Sequence, residues 1–225
     1  PRSRGLGDVY KRQPLLTNMI MNSSGTFTLA KDLVINGDVT FTNGTFQGSS
    51  QTIFLDGSAT NWIVNAGTFS PQTGTVRVRG TATIGGSGTS KQFNSLVVID
   101  TATLNLPSST ILIGGNYQAF SGATINHNSG SVEFNGSGDQ EVRGGGTALN
   151  DIVVNKSAGK VDILIALDLI GTLDIQSNTD VDSNDGNLRL LSTTDAGGGD
   201  AQIAAIPAGA SVSGKIKVQR YMSGE

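Results

Sequence analysis

The chain has 225 residues, a formal net charge of −3, no cysteine, 31 glycines and an apolar fraction of only 36%. The lack of cysteine excludes disulfide bonds and thiol chemistry. The mildly acidic charge argues against nucleic-acid binding, because such binding depends on cations that neutralise phosphates. The longest apolar run, Ile163 to Leu167, is far too short to span a membrane as a helix.

The segment 1–13 differs in texture from the rest of the chain. It contains four of the 15 Lys and Arg residues, and it lacks the continuous apolar core of a signal peptide. The back-translation of Ser3–Gln13 resembles an adapter used in transposase-based DNA library preparation. We therefore predict that residues 1–13 are a non-native, disordered segment and that the gene was read from assembled environmental DNA. A basic arm that binds nucleic acid or a membrane surface is the alternative.

From residue 14 onward, apolar residues recur in pairs with one residue between them. Examples are Leu33/Ile35, Val76/Val78, Leu104/Leu106, Val132/Phe134, Leu188/Leu190 and Ile216/Val218. Because side chains alternate across a strand, each pair points to one face and the residue between them to the other. Gly, Asn, Ser and Asp separate the pairs and favour turns. Even Asp162–Ile175, which has the most helical composition, is interrupted at Ala166 and Gly171 and is predicted as short strands.

The strongest signal is an internal repeat. The sequence GTVRVRG at 74–80 aligns with GSVEFNG at 130–136, and FNSLVV at 93–98 aligns without a gap with LNDIVV at 149–154. A repeat of this kind indicates a stacked architecture, in which each unit buries its apolar face against its neighbours.

The repeat units are predicted to be residues 74–129 and 130–185. Trp62, Tyr117 and Leu173 fall at nearly corresponding places in successive units. In a stacked fold, such residues are expected to lie on one another in the core.

These patterns predict an all-β fold, a right-handed parallel β-helix, over residues 14–195. The repeat unit suits two or three coils and is short for an immunoglobulin-like sandwich of about 100 residues. Tandem β-sandwiches are the alternative architecture. Residues 196–225 are predicted to form a terminal β segment or the start of a following domain.

The run Gly130–Val161 resembles the repetitive surface and secreted proteins of Bacteroidota-type Gram-negative bacteria, and Leu188–Gly224 resembles the segment that often follows such repeats. The resemblance covers most of residues 25–224. It implies export across the outer membrane, often by the type IX route, and a role in adhesion, coating or spacing. The signal peptide and the sorting domain of that family are missing from this sequence, which we interpret as a fragment of a larger protein.

The predicted function is a non-catalytic, extracellular or outer-membrane-surface, adhesin-like repeat region without catalytic, cofactor or metal residues. Glycans or other cell-surface components are the expected partners, and the ends of the fragment are expected to associate end to end. One alternative is an accessory carbohydrate-binding module, which a buried Trp62 would weaken. The other is a β-helix polysaccharide lyase or glycoside hydrolase, which needs several carboxylates in one groove. The candidates are Asp162, Asp168, Asp174, Asp180 and Asp182.

Three local motifs carry alternative chemistry. His127 has no second His or Cys to complete a site and is predicted as a polar turn residue. The run Asp180–Asn187 has oxygen ligands suited to calcium, but its glycine and its twelfth position do not fit an EF-hand loop, so a solvated turn is predicted. Gly144–Gly146 does not precede a helix, as a phosphate-binding loop would. It is predicted to form a tight corner between strands.

Threonine pairs raise one further alternative, which is ice binding. They occur at Thr26–Thr28, Thr81–Thr83 and Thr101–Thr103. An ice-binding face would need such pairs in register on successive coils. Their irregular spacing argues against that register, and threonine is in any case common in strands.

Overall fold

A computed structural model describes residues 15–176, 178–192 and 200–219, and within these ranges the chain forms only strands and turns. The pairs between strands are all parallel. Ile53 lies beside Val76, and Val76 lies beside Leu96. Each strand therefore pairs with a strand about one turn of the chain away, which makes the molecule a β-solenoid. This confirms the predicted solenoid over tandem sandwiches, while its right-handed sense stays a prediction. The predicted adapter segment, residues 1–13, lies outside the described residues.

Each turn of the chain, here called a coil, runs over three faces of the stack, and from Thr75 onward the coils contribute one strand to each face in turn. Face 1 is a single sheet of ten strands. In stacking order its strands are β1 (Leu15–Leu16), β3 (Leu33–Ile35), β5 (Thr52–Leu55), β8 (Thr75–Val78), β11 (Ser95–Val98), β14 (Tyr117–Ala119), β17 (Gln140–Arg143), β20 (Val161–Ile165), β23 (Asp180–Asp182) and β26 (Ser211–Ser213).

Face 2 consists of two sheets, one after the other along the stack. The first contains β2 (Met19–Thr28), β4 (Val39–Gln47), β6 (Thr60–Val64), β9 (Thr81–Gly85), β12 (Thr103–Asn105) and β15 (Thr124–Asn126). The second contains β18 (Ala148–Leu149), β21 (Leu167–Leu169), β24 (Leu188–Leu191) and β27 (Lys217–Gln219). The short β7 (Thr68–Ser70) pairs with the second half of β4.

Face 3 is a sheet of six strands. They are β10 (Lys91–Phe93), β13 (Ile111–Ile113), β16 (Ser131–Phe134), β19 (Asp151–Val154), β22 (Thr172–Ile175) and β25 (Gln202–Ile203). Residues 200–219 thus add their strands to the same three faces as the preceding coils.

The core is a single layer of inward-pointing side chains along the axis of the stack. In β8, for example, Val76 and Val78 are buried while the residues between and beside them are half-buried. The stretch Asp162–Ile175 forms three short strands, β20, β21 and β22, which are separated at Ala166 and at Gly171. This confirms the strand prediction for this stretch. Val218, in the last described strand, is 67% exposed.

Contrary to the sequence-based prediction, equivalent residues of the internal repeat do not lie on the same face of the solenoid. Trp62, Tyr117 and Leu173 are all buried. They belong to β6, β14 and β22, which lie on faces 2, 1 and 3. The prediction that they stack on one another is therefore wrong.

The reason is that the repeat unit is not a whole number of coils. The chain completes one coil between Ile53 and Val76 and the next between Val76 and Leu96. Val76 in β8 corresponds to Val132 in β16, and a third correspondence falls on Leu188 in β24. Each step of the repeat advances eight strands, which is two and two-thirds coils. The repeat therefore preserves inward and outward positions but rotates them from one face to another.

Candidate functional surfaces

A polar ladder runs along the outside of face 2 through six successive coils. The strand register aligns Asn61, Thr83, Asn105 and Asn126, and hydrogen bonds continue the ladder to Asp38 and Asn18, which directly precede β4 and β2. Adjacent members are hydrogen-bonded in most steps: the Asn61 amide donates to Asp38 Oδ1 at 2.8 Å, and the Asn126 amide donates to Asn105 Oδ1 at 2.6 Å. Asn105 Nδ2 in turn donates to Thr83 Oγ1 at 3.1 Å. These bonds hold the outward side chains in fixed positions.

A column of threonines lies beside this ladder. Thr81, Thr103 and Thr124 occupy the same position in β9, β12 and β15. A second column, Thr26, Thr45 and Thr68, runs through β2, β4 and β7.

The prediction that the threonine pairs lack register is therefore wrong for Thr81 and Thr103, which lie on adjacent strands. Coils differ in length because their turns differ, so irregular spacing in the sequence becomes regular spacing in space. Thr101, the other member of its predicted pair, lies in a turn with φ of 66°.

The carboxylates that the enzyme alternative requires are distributed over three faces. Asp162, Asp180 and Asp182 lie on face 1, whereas Asp168 lies on face 2 and Asp174 on face 3. The structure therefore does not bring the five together in one groove.

Several acidic groups on faces 1 and 2 are paired with cations. Lys160 Nζ lies 2.7 Å from Asp162 Oδ1 and 3.6 Å from Asp182 Oδ2. The hydrogen bond to Asp162 raises the pKa of Lys160. Arg189 likewise pairs with Asp168. Arg189 thus offsets the charge of Asp168, whereas Lys160 shares its single charge between Asp162 and Asp182.

Face 3 carries an open depression with a volume of about 390 Å³. Asp151 and Asp174 line it, together with Thr172, and neither aspartate forms an ion pair within the described ranges. Asp151 Oδ1 accepts a hydrogen bond from the Thr172 backbone N–H at 2.7 Å, and Asp174 Oδ2 accepts one from Gln176 Nε2 at 2.8 Å. Its carboxylates are thus satisfied mainly by neutral donors.

The calcium candidate, Asp180–Asn187, spans β23 and the turn that leads to β24. Asp182 Oδ1 accepts a hydrogen bond from the Asn184 backbone N–H at 2.9 Å. The amides of Asn184 and Asn187 both donate to the Ile163 carbonyl of the preceding coil, at 3.3 and 3.0 Å. These side chains therefore organise the turn, and the described part of the chain contains no group of three or more His, Cys, Asp or Glu that could hold a metal ion.

The two other sequence candidates also lie in turns. His127 Nδ1 accepts a hydrogen bond from the Ser129 backbone N–H at 3.2 Å. Gly144–Gly146 forms the corner between β17 and β18, where Gly145 and Gly146 have φ of 59° and 81°. Both observations agree with the predicted turn roles.

A buried polar cluster lies at the corner between faces 3 and 1, and no pattern in the sequence points to it. Lys156 is only 5% exposed, and its Nζ donates to the carbonyls of Gly136 and Gly138 at 3.0 and 2.8 Å and to Gln140 Oε1 at 2.6 Å. Gln140 Nε2 donates onward to the Ile113 carbonyl at 2.9 Å. Burial lowers the pKa of Lys156 to about 8. The cluster ties together three successive coils.

The aromatic residues do not form an exposed platform within the described residues. Trp62 is fully buried, packed between the rings of Phe69 at 4.9 Å and Phe41 at 5.0 Å. Phe54, on the outside of face 1, is covered by the guanidinium of Arg79 at 4.1 Å. Because sugar-binding modules commonly present exposed rings, this arrangement weakens the carbohydrate-binding-module alternative.

The chain matches no protein-family model, no curated protein and no solved structure. None of the described segments forms a helix of the length and hydrophobicity needed to cross a bilayer.

Proposed function

We propose that this chain is a non-catalytic, extracellular repeat region of a larger adhesin-like protein, and that face 2 is its contact surface for neutral glycans. The observation that carries the proposal is the polar ladder, which presents amide, hydroxyl and carboxylate groups at the same position on six successive coils. Successive strands lie about 4.8 Å apart, so the groups repeat at a short, regular interval. We propose the extracellular location from the resemblance of Gly130–Val161 to repetitive surface proteins.

The chemistry of the ladder favours a neutral, hydroxyl-rich ligand. Its amides and hydroxyls can donate and accept hydrogen bonds, and Asp38 is its only charged member. Thr81 and Thr103 add hydroxyls in a neighbouring column. Single hydrogen bonds to a glycan contribute little net affinity in water. Repetition of the same contact along a rigid rod raises the avidity without any new kind of contact.

The arrangement of the acidic groups supports a non-catalytic role. Glycoside hydrolysis requires two carboxyl groups about 5 to 9.5 Å apart across one sugar bond. Here Asp162 and Asp168 are each engaged by a cation and lie on different faces. Asp174 shares the open depression of face 3 with Asp151, and an assay for newly released reducing ends tests whether this pair is catalytic.

The proposal is tested by binding the full chain to immobilised neutral and acidic polysaccharides. We expect the neutral polysaccharides to be retained, and we expect Thr103→Lys to reduce retention at least tenfold, because it places a long cation in the middle of the threonine column. The matched control is Gln118→Lys, which makes the same change on face 1.

Equal losses from Thr103→Lys and Gln118→Lys would place the contact elsewhere, and retention of no glycan would overturn the proposal. Release of new reducing ends from any polysaccharide would instead favour the enzyme alternative.

Ice binding is a second candidate function, and the two threonine columns are the observation that favours it. Each spans three coils with threonine at every position. Threonine is rigid at χ1, so its hydroxyl and methyl groups hold a regular array. Inhibition of ice recrystallisation by the wild-type chain, and its loss in Thr103→Lys, would support this candidate. No inhibition would exclude it.

A further inference from the structure

Three asparagine–glycine pairs occur in the sequence, at Asn36–Gly37, Asn43–Gly44 and Asn135–Gly136. In such a pair the backbone nitrogen of glycine can attack the side-chain amide of asparagine, because glycine has no side chain to hinder the approach. In a folded protein the rate of this attack depends on how close the nitrogen lies to the amide carbon and on whether the peptide is free to move. The fold therefore decides which of the three pairs can react.

The Asn43–Gly44 pair lies at an irregular point of β4. The part of β4 before the pair lies beside β6, and the part after it lies beside β7, while the register with β2 shifts on both sides of Asn43. The side chain of Asn43 is exposed. The Gly44 backbone N–H donates to Asn43 Oδ1 at 2.9 Å, so the nitrogen is held next to the amide that it would attack.

The bend in β4 also requires glycine at this position. Gly44 has φ of 76°, a conformation that other residues rarely adopt. A Cβ at Gly44 would collide with the carbonyl oxygen of Ser23 in the preceding coil. A side chain that would slow the attack therefore cannot be accommodated, and the reactive pair is a consequence of the bend itself.

The Asn135–Gly136 pair has the opposite environment. Asn135 is half-buried and Gly136 is buried. The Gly136 backbone N–H donates to Gln140 Oε1 at 3.0 Å, and the Gly136 carbonyl accepts a hydrogen bond from Lys156 Nζ at 3.0 Å. Because movement of this peptide would break the buried polar cluster, we expect the pair to be protected.

The Asn36–Gly37 pair is intermediate between the other two. Asn36 is exposed, as Asn43 is. A Cβ at Gly37 would collide with the carbonyl oxygen of Thr17, so this glycine is pressed against the preceding coil. Among the hydrogen bonds of the described residues, none joins the Asn36 amide to the Gly37 N–H, so the nitrogen is not held at the amide.

We propose that Asn43 is a site of spontaneous deamidation and isoaspartate formation in the folded chain. The Gly44 nitrogen loses its proton to hydroxide and bonds to Cγ of Asn43. The bond from Cγ to Nδ2 breaks, and Nδ2 takes up a proton from water and leaves as ammonia. Water then opens the five-membered ring. Its addition at Cγ gives aspartate, and its addition at the main-chain carbonyl carbon gives isoaspartate.

Isoaspartate at this point would lengthen the backbone of β4 between its two halves. Phe41, before the site, lies beside Val64, and Phe46, after it, lies beside Phe69. Phe41 packs against both Phe46 and Phe69, at 6.1 and 5.8 Å between ring centroids. One extra backbone carbon would therefore strain the early aromatic core. This inference concerns the stability of the early coils and does not depend on the proposed glycan contact.

The test compares the full chain in its folded state and unfolded in guanidinium, with both samples held at mildly alkaline pH in ¹⁸O-labelled water. Peptide mass spectrometry locates each asparagine that has gained labelled oxygen. In the folded chain we expect Asn43 to react at least about tenfold faster than Asn135, with Asn36 between them. In the unfolded chain the three rates should become similar, because only the shared Asn-Gly sequence then sets them.

Two variants separate the reaction from other effects of storage. Asn43→Gln should abolish the labelling at this position, because the longer side chain would need a less favourable six-membered ring. The matched control, Asn36→Gln, should leave the rate at Asn43 unchanged. After long incubation the thermal midpoint of unfolding should fall in the wild-type chain and in Asn36→Gln, and it should stay constant in Asn43→Gln.

Several results would overturn the inference. Equal rates at Asn43 and Asn135 in the folded chain would show that the fold does not select the site. Labelling of Asn43 only after unfolding would show that β4 keeps the amide out of reach of the Gly44 nitrogen. Faster labelling of Asn36 than of Asn43 would place the reactive site in the turn before β4. A constant midpoint in a fully labelled wild-type chain would contradict the strain on the aromatic core.

Discussion

The early and late coils use the same backbone arrangement around different cores. The early core is aromatic, with Trp62 and Phe93 packed 5.7 Å apart in a cluster that also includes Phe41 and Phe69. The late core is mostly aliphatic and leaves a small cavity of about 10 Å³ near Val142. Strand pairing continues through both, so the same backbone arrangement accommodates an aromatic and an aliphatic core.

The outer side of face 2 also differs between the two regions. The early coils carry a hydrogen-bonded ladder on face 2, in which Asn105 bonds to Thr83. The late coils carry ion pairs such as Arg189 with Asp168. In a stacked protein each coil contacts only its neighbours, so regions with different interactions can coexist in one rod.

The largest expected effect comes from the early aromatic cluster. Trp62→Ala should lower the free energy of unfolding by about 3–5 kcal/mol, because it leaves a cavity among several rings. Urea denaturation measures this change. Leu173→Ala, at the corresponding place in the repeat, is the matched control and should cost less than Trp62→Ala within the range of about 2–5 kcal/mol for aliphatic residues, because fewer buried atoms are removed. Equal costs would mean that the aromatic cluster adds no stability beyond ordinary core packing.

The next effect concerns the turns at the corners. Gly86 has φ of +100°, and a Cβ there would approach the Val64 carbonyl oxygen to 2.1 Å. Gly86→Ala should therefore destabilise the early region by about 1–3 kcal/mol. A Cβ on Gly138 would have no heavy atom within 4 Å, so Gly138→Ala should change the thermal midpoint of unfolding very little. A midpoint unchanged by Gly86→Ala would contradict the turn geometry.

The free energy of unfolding of the late region should depend on pH through Lys156. Burial lowers its pKa from 10.5 to about 8 in the folded chain, so the unfolded chain binds more protons between these two values. Stability should therefore rise as the pH increases through this window. Lys156→Met should flatten the rise in urea denaturation, since it removes the titrating group. A rise that persists in Lys156→Met must come from another group.

The smallest expected effects on stability distinguish the hydrogen-bonded ladder of the early coils from the ion pair of the late coils. Asn105→Ala should lower the free energy of unfolding by about 1 kcal/mol at any salt concentration, because the bonds it removes are between neutral groups. Arg189→Ala should cost about 0.5 kcal/mol in dilute buffer and less in concentrated salt, where this partly exposed pair is partly screened. Equal salt dependence in both variants would remove this distinction.

The alternation of apolar residues in the sequence predicted much of the fold but little of how the outward side chains are arranged. The alternation of Val76 and Val78, with Gly and Asn between strands, is sufficient to predict short stacked strands. The column formed by Thr81 and Thr103 could not be predicted, because the register depends on the exact length of each coil. Lys156 could not be predicted either, since its burial depends on groups from neighbouring coils that only the folded stack brings together.

The two-and-two-thirds-coil repeat gives the rod the symmetry of a screw. Val76, Val132 and Leu188 mark equivalent points that lie on three different faces. Each duplication of the unit therefore turns its outward side chains by one third of a revolution. A straight column on one face, such as the polar ladder of face 2, is therefore built from positions that are not equivalent in the repeat.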